Sequence, residues 1–415
     1  MNKNKLTLYI FVALFAGIIV GAICNKDAAN PFIMGFVEYV PLFSDIFLNL
    51  VKMIIAPLVF ATLVVGVAKL GDIKAVGRIG GKTMLWFMSA TFVSLFLGMI
   101  LVNIMKPGYM MHLELPASMA DTGLEKSALS VKEFIKHVFP KSVFDAMAKN
   151  EILQIIVFAL FFGIGTAAIG ERGKVMIDLM DSLAHVMLKV TGYVMNFAPL
   201  AVFGALTAVV AKQGVSVLAN YGIFILEFYG GLLILWLILI LAGAVVIRKR
   251  IIDLLKHIID PVLIAYTTSS SEAALPKTIQ QLEKFGCNNK IVSFVLPLGY
   301  SFNLDGSMMY MTFASLFIAQ SYHIDLSIGE QLSMLLVLML TSKGIAGVPR
   351  ASLVVIAGTL AMFNIPEAGL LLLMGIDPIL DMARSATNVV GNSIATAVVS
   401  KWEGELDEPG QVENI

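Results

Sequence analysis

Residues 377–392 read DPILDMARSATNVVGN and lie inside an apolar run extending from about residue 370 to 399. They put two carboxylates, a guanidinium and two carboxamides where a membrane helix would hold hydrocarbon. As a helix, Asp377, Asp381, Arg384, Asn388 and Asn392 fall at steps of four, three, four and four, so all five share one face. The opposite face, with Ile379, Ala383, Val390 and Ile394, is free to meet lipid or protein. A charge at bilayer depth costs at least ~2.5–3.5 kcal/mol, so such groups face a bundle interior and commonly line an ion or substrate path. The structural alternative is an internal Asp–Arg pair that only locks helices together. Two acids for one base leave a carboxylate over, which such a lock does not need.

The rest of the chain supports a membrane reading. Of 415 residues, 58% are hydrophobic and 14% charged, and the mean hydropathy is +0.87, the composition of a polytopic membrane protein. Net charge is zero and the longest basic run is Arg248-Lys249-Arg250, so nucleic acid is not an expected partner. Cys24 and Cys287 are too few for a disulfide framework. The five histidines are scattered without ligand spacing. Gly80-Gly81-Lys82 lacks the upstream glycine of a phosphate loop, and no nucleotide motif supports a pump. No nucleophile–base pair suggests an enzyme, and no cofactor is expected.

Apolar spans of membrane-crossing length fall at residues 6–23, 42–68, 83–105, 152–169, 176–211 and 222–247. The first is read as a span and not as a cleaved leader, because it is long and lacks a small-residue cleavage site. Lys3 and Lys5, then Lys69, Lys74, Arg78 and Lys82, then Arg248 to Arg250 mark the cytoplasmic loops, with the N-terminus inside. Residues 108–150 are expected outside, as a loop with short helices.

After residue 250 the pattern changes. A half-length apolar segment, 254–266, meets the hydroxyl-rich break Thr267-Thr268-Ser269-Ser270-Ser271-Glu272 and a second segment ending near Lys290, as in a re-entrant hairpin. The next span, 291–319, is interrupted by Gly299-Tyr300-Ser301-Phe302-Asn303-Leu304-Asp305-Gly306-Ser307. Gly306 would permit unwinding there, which frees carbonyls for a hard cation, with Asp305 and Asn303 adding oxygens. A second interrupted pair, 332–341 and 351–363, brackets a tip from Ser342 to Arg350, where Gly344, Gly347 and Pro349 stop a helix. Hairpin, broken helix, hairpin and polar helix follow the inverted-repeat pattern of secondary transporters.

Through SSSEAALP, GYSFNLDGS, GIAGVP and DMARSATNVVGN, in this order and spacing, the chain resembles the dicarboxylate/amino acid:cation symporter family, the glutamate transporter homologues. Its pattern is most similar to that of bacterial proton/glutamate-aspartate symporters. The resemblance implies an all-α polytopic protein of eight transmembrane helices plus two re-entrant hairpins. It further implies a homotrimer in the bacterial inner membrane, both termini cytoplasmic, working as an elevator. Residues 1–79 and 109–214 would form a static scaffold. Residues 80–108 and 215–408 would form a moving transport domain, and 409–415 a cytoplasmic tail.

By the same resemblance, Arg384 would pair with a substrate's side-chain carboxylate, Asp381 with its α-ammonium and Asn388 with its α-carboxylate. Ser307 and Ser385 would be hydroxyl neighbours, and the tips around Ser270, Ser271, Gly347 and Val348 would close the pocket. A planar fork suits a carboxylate, and an acid at 381 would repel a substrate lacking an ammonium. L-Glutamate or L-aspartate is therefore the expected cargo. The alternative is a C4-dicarboxylate (succinate, fumarate or malate) symporter of the same fold, and the rival from another class is a channel.

Coupling residues are carried over likewise: Gly299, Asn303, Asp305, Ser342, Ile345, Asp377, Asn388 and Asn392, with sodium a candidate at Asp305, Asn303 and Asn392. Sodium-coupled members carry an aspartate where this chain has Asn392. Phe87, Ala90 and Thr91 stand where those members show tyrosine, threonine and serine. Glu272 on the first tip is shared with members regarded as proton-coupled, and burial in general favours the neutral form of a carboxyl, which suits a proton carrier. Its structural alternative is a cap on the following half-helix. Protons are the expected driving ion and sodium a second. Arg350, beside the second tip, is a further candidate near the substrate.

Overall fold

The computed structural model describes residues 3–27, 30–70, 73–110, 136, 138–213, 221–342, 351–374 and 376–407, and these are almost wholly helical. The first half supplies α1 (Lys3–Lys26), α2 (Pro31–Tyr39), α3 (Leu42–Leu70), α4 (Ile73–Met105), the single turn α5 (Pro107–Met110), α6 (Val143–Ala148) and α7 (Ile152–Ala168). Then come α8 (Lys174–Val194), α9 (Ala198–Gln213) and α10 (Gly222–Ile247). Among the described residues four stretches are long and apolar enough to cross a membrane: Leu8–Lys26, Pro31–Ala68, Lys74–Tyr109 and Gly222–Ile247. They are the first, second, third and sixth expected spans.

The fifth expected span is not one rod. It bends by 54° between α8 and α9. Pro199 sits in the first turn of α9, where its missing N–H is harmless, but its ring prevents a helix from running through from α8.

The second half is discontinuous, as expected. The first hairpin comprises α11 (Arg250–Thr268) and α12 (Ser271–Phe285). Its break is narrower than the hydroxyl run suggested. Thr267 and Thr268 turn their hydroxyls onto the carbonyls of Leu263 (2.8 Å) and Ile264 (2.7 Å), and so stay helical. Only two residues turn the chain. Ser269 is left-handed (φ 50°, ψ 35°) and ends α11, while Ser270 is extended and accepts a hydrogen bond from the Ala273 N–H at 3.2 Å, capping α12.

The broken span is α13 (Asn289–Phe302) and α14 (Asp305–Ser321), interrupted at Asn303-Leu304. Gly306 is not the point of unwinding, contrary to the sequence expectation. It lies in the first turn of α14, where a Cβ would come 2.5 Å from the Arg384 carbonyl oxygen and 2.8 Å from Thr387 Cβ. Its bareness lets α14 approach the last long helix. The second hairpin is α15 (Ile328–Thr341), opened by a Ser327/Glu330 capping box, and α16 (Ala351–Met362). Its tip, with Ile345, Gly347, Val348 and Arg350, lies outside the described residues, as does the tail 409–415. The chain closes with α17 (Leu370–Met374) and α18 (Asp377–Glu403).

Packing organises these helices around two centres. Without a hydrophobic drive between helices in lipid, close approach of small residues holds them together. Gly17 and Gly21 of α1 face α9, where a Cβ would meet the Phe203 carbonyl oxygen at 3.0 Å and that of Thr207 at 2.8 Å. Against α3 pack α7 and α8. The other centre is α18, contacted by α4 and by α10 through α14, and buried at every residue from Met382 to Ser400. Its apolar side therefore meets protein and not lipid: a Cβ on Gly243 of α10 would lie 2.7 Å from Ile394. By contrast, α10 turns Leu226, Leu233, Leu237, Leu241 and Val245 outward, an apolar stripe suited to hydrocarbon.

Candidate substrate and ion site

The polar face of α18 is gathered as its spacing predicts. Nη2 of Arg384 lies 2.9 Å from Asp381 Oδ1 and 3.0 Å from Asp377 Oδ1, and Nε donates to Asp381 Oδ1 at 3.2 Å. Its Cζ stands 3.9 Å from the centre of the Tyr310 ring on α14. The Arg384 side chain is 3% exposed and that of Asp377 5%, whereas that of Asp381 is 39% exposed. One acid is sealed with the guanidinium and the other opens outward. The first hairpin also reaches the cluster, because Ser269 Oγ donates to the Pro378 carbonyl at 3.5 Å. Arg384 Nη1 is buried without a hydrogen-bond partner among the described residues, an unspent donor in a water-poor place.

One turn on, Asn388 closes the start of α14. Its Oδ1 accepts the N–H of Gly306 at 2.9 Å and of Ser307 at 3.4 Å, and its Nδ2 donates to Ser307 Oγ at 3.3 Å. The first N–H groups of a helix have no partner within it, so the carboxamide satisfies two of them while binding α14 to α18. The carried-over pair Asn388 and Ser307 is thus in direct contact. Ser385 and Ser271 are buried nearby in sequence on α18 and at the start of α12.

A second cluster surrounds the break in the seventh span. Asn303 Nδ2 donates to Asp305 Oδ2 at 2.9 Å and to Asn392 Oδ1 at 3.2 Å, and Ser94 Oγ of α4 donates to Asp305 Oδ1 at 3.2 Å. Two glycines make room: a Cβ on Gly391 would sit 1.9 Å from Asp305 Oδ2, and one on Gly299 2.2 Å from Asn392 Oδ1. Asn303 Oδ1 and Asn392 Nδ2 are buried with no hydrogen-bond partner among the described residues. A carboxylate and an unused carboxamide oxygen suit a hard cation, and Thr91 Oγ1, 3.4 Å from the Phe302 carbonyl oxygen, borders the same break.

Comparison with known proteins agrees with this architecture. The family described as the sodium:dicarboxylate symporter family matches residues 6–402. The chain belongs to that family. It is 43% identical to a proton/sodium-glutamate symport protein of Bacillus caldotenax, over 98% of this chain and 97% of that one. It is 39% identical to a C4-dicarboxylate transport protein of Bacillus subtilis (strain 168), over 99% of this chain and 97% of the other. A proton/sodium-glutamate symport protein of the same strain is also 39% identical, over 100% of this chain and 96% of its own length.

As a member of the sodium:dicarboxylate symporter family, the chain is a membrane transporter and not an enzyme. The remaining carried-over residues divide. Ser342 is buried and spends its hydroxyl on the Met339 carbonyl at 3.2 Å. Glu272 is half-buried in the first turn of α12, where an acid also suits the helix dipole. Tyr310 and Ser94 were not singled out from the sequence. Neither lies on α18 or on a hairpin tip, and only the approach of α14 and α4 brings them to the charged groups. An aromatic one turn into the half-helix after Asp305-Gly306 is the signal that would have pointed to Tyr310.

Proposed function

We propose that this chain is a secondary active symporter that brings L-glutamate and L-aspartate into a bacterial cell across its plasma membrane, driven by protons with sodium as a second coupling ion. The observation that carries the reading is Arg384 held between a sealed acid and an open one. An incoming side-chain carboxylate can take the guanidinium fork bidentately, using the idle Nη1. That releases Asp381, already exposed, to accept the substrate's ammonium. Asp377 stays behind as counter-ion, so the arginine is paired both with and without cargo, and the desolvation cost of a lone buried charge is avoided.

A C4-dicarboxylate offers the same carboxylate but no ammonium. Asp381 would then face a second anion. This weighs for an amino acid over the cargo named for the C4-dicarboxylate relative, although both kinds of relative are similar to this chain. The acid Glu272 would carry the proton. Asp305 and Asn303 would hold sodium, with the carboxamide of Asn392 making that site one charge poorer than a carboxylate would.

In the motion we propose, α1, α3, α7, α8 and α9 form the scaffold of a homotrimer and the helices around α18 move as an elevator. Orientation follows the positive-inside rule. Arg78 and Lys82 of α4 bind Glu403 at the end of α18 at 2.8 and 2.7 Å, and Arg250 donates to the Phe285 carbonyl at 2.7 Å, so basic loops and the end of α18 share one face, taken as cytoplasmic. The test is uptake of labelled aspartate into proteoliposomes with proton and sodium gradients imposed separately. Accumulation against its own gradient under a proton gradient is expected. Equilibration without accumulation under either gradient would mean a pore.

A further inference from the structure

Midway along the apolar helix α3 stands one cation, Lys52 (LNLVKMIIAPL, residues 48–58). The residues Lys52, Ala56, Val59, Leu63 and Gly66 recur at steps of four, three, four and three and form one stripe. Ala56, Val59 and Leu63 are buried, and Gly66 meets the main chain of Lys290, a Cβ there lying 3.4 Å from its carbonyl oxygen. The lower end of the stripe thus faces α13, and both α12 and α13 pack on α3. Lys52 is the stripe's exposed upper end.

Depth can be read off the helices. From Gly66 to Lys52 is fourteen residues of helix, roughly 21 Å at ~1.5 Å per residue. From Phe285, where α12 ends just before Lys290, back to Glu272 is thirteen residues, roughly 20 Å by the same rise. Lysine and glutamate therefore stand at matching heights on two helices in contact. Glu272 lies in the first turn of α12 and Tyr300 near the end of α13, on the two helices that pack against α3. At the opposite end of α12, Glu283 accepts a hydrogen bond from Asn289 at 2.6 Å, and His185 of α8 is paired with Asp181 of its own helix at 3.4 Å.

We propose that Lys52 and Glu272 form an ion pair across the boundary between α3 and the first hairpin, making Lys52 a positioning residue for the carboxyl that carries the coupling proton. An ionised Glu272 is held to α3. A protonated one is not, so the hairpin is freed from α3 when the proton is aboard. The pairing itself stands on the packing of α12 against α3, and only its consequence rests on the proton-coupled reading above.

Two measurements on the intact chain in membranes test this. A hydrophobic carbodiimide, which joins an amine to a carboxyl in contact with it, should link Lys52 to Glu272 in a peptide detected by mass spectrometry, and Lys52→Arg and Glu272→Gln should each abolish that peptide. Its absence from the unaltered chain would overturn the pair. In proteoliposomes Lys52→Met should move the alkaline limb of the uptake–pH profile about one unit upward, because an opposite charge favours the ionised carboxyl. Lys52→Arg should restore the profile. In a Glu272→Gln background, where exchange of labelled for unlabelled aspartate persists, Lys52→Met should leave the pH profile of exchange unmoved, and a shift there would overturn the positioning role. Should the peptide form while Glu272→Gln still accumulates aspartate on a proton gradient, the pair stands and the proton-carrier reading falls.

Discussion

Arg384 is costly where it sits, and its surroundings show how the cost is met. Two carboxylates and the face of Tyr310 replace the water it has lost. Arg384→Thr removes the fork and leaves two acids unpaired, so binding of acidic amino acids should fall by at least ~100-fold, as for truncation of one partner of a buried pair, measured by calorimetric titration of the purified variant. Aspartate affinity within tenfold of the unaltered protein would refute the assignment. At Gly391 the expectation is different. An alanine Cβ would come within 1.9 Å of Asp305 Oδ2 and must push that carboxylate aside, costing about 1–3 kcal/mol of stability. Gly391→Ala should therefore keep its fold, by a modestly lowered melting temperature, yet lose cation-driven uptake, and full uptake would mean that Asp305 does not serve the ion. The stripe from Asp377 to Asn392 was legible because a helix has a known period. Tyr310 and Ser94 were not, since no spacing within one segment reports which other helix will lie across it.

At the scale of elements, the second half of the chain is built from helix ends placed inside the bundle. Each end needs its loose N–H groups satisfied, and two different devices do so: the Ser270 hydroxyl for α12 and the Asn388 carboxamide for α14. Ser270→Ala should destabilise the protein by about 1 kcal/mol, seen as a small drop in melting temperature, with Ser270→Asp restoring it. An unchanged melt would show that the tip is held by its neighbours alone. The hairpins and the broken span could be read from clusters of hydroxyl residues, Gly and Pro among apolar runs. Their edges could not, because Thr267 and Thr268 can satisfy their hydroxyls within a helix and Gly306 can serve contact instead of unwinding. The bend before Pro199 was hidden for the reverse reason: the apolar run continues through it.

Across the whole molecule, an outer group around α3 and an inner group around α18 meet mainly where α12 and α13 lie on α3. Composition identified a membrane protein, and the four motifs identified its family, but the division into fixed and moving parts came with the resemblance and not from hydropathy. If the proton enters at that boundary, Glu272→Gln should abolish accumulation driven by a pH gradient while preserving exchange of labelled for unlabelled aspartate, a step that needs no net proton movement. Accumulation unaffected by Glu272→Gln would remove the carboxyl from the coupling scheme. The assembly is open to native mass spectrometry, for which three copies of the chain are expected.

Asp381 and Arg384 are proposed to read together a zwitterion with a second carboxylate, and competition measures this directly. In proteoliposomes under a fixed proton gradient, uptake of labelled L-aspartate should be blocked by excess L-glutamate and left nearly unchanged by equal succinate. Succinate competing as well as glutamate would contradict it.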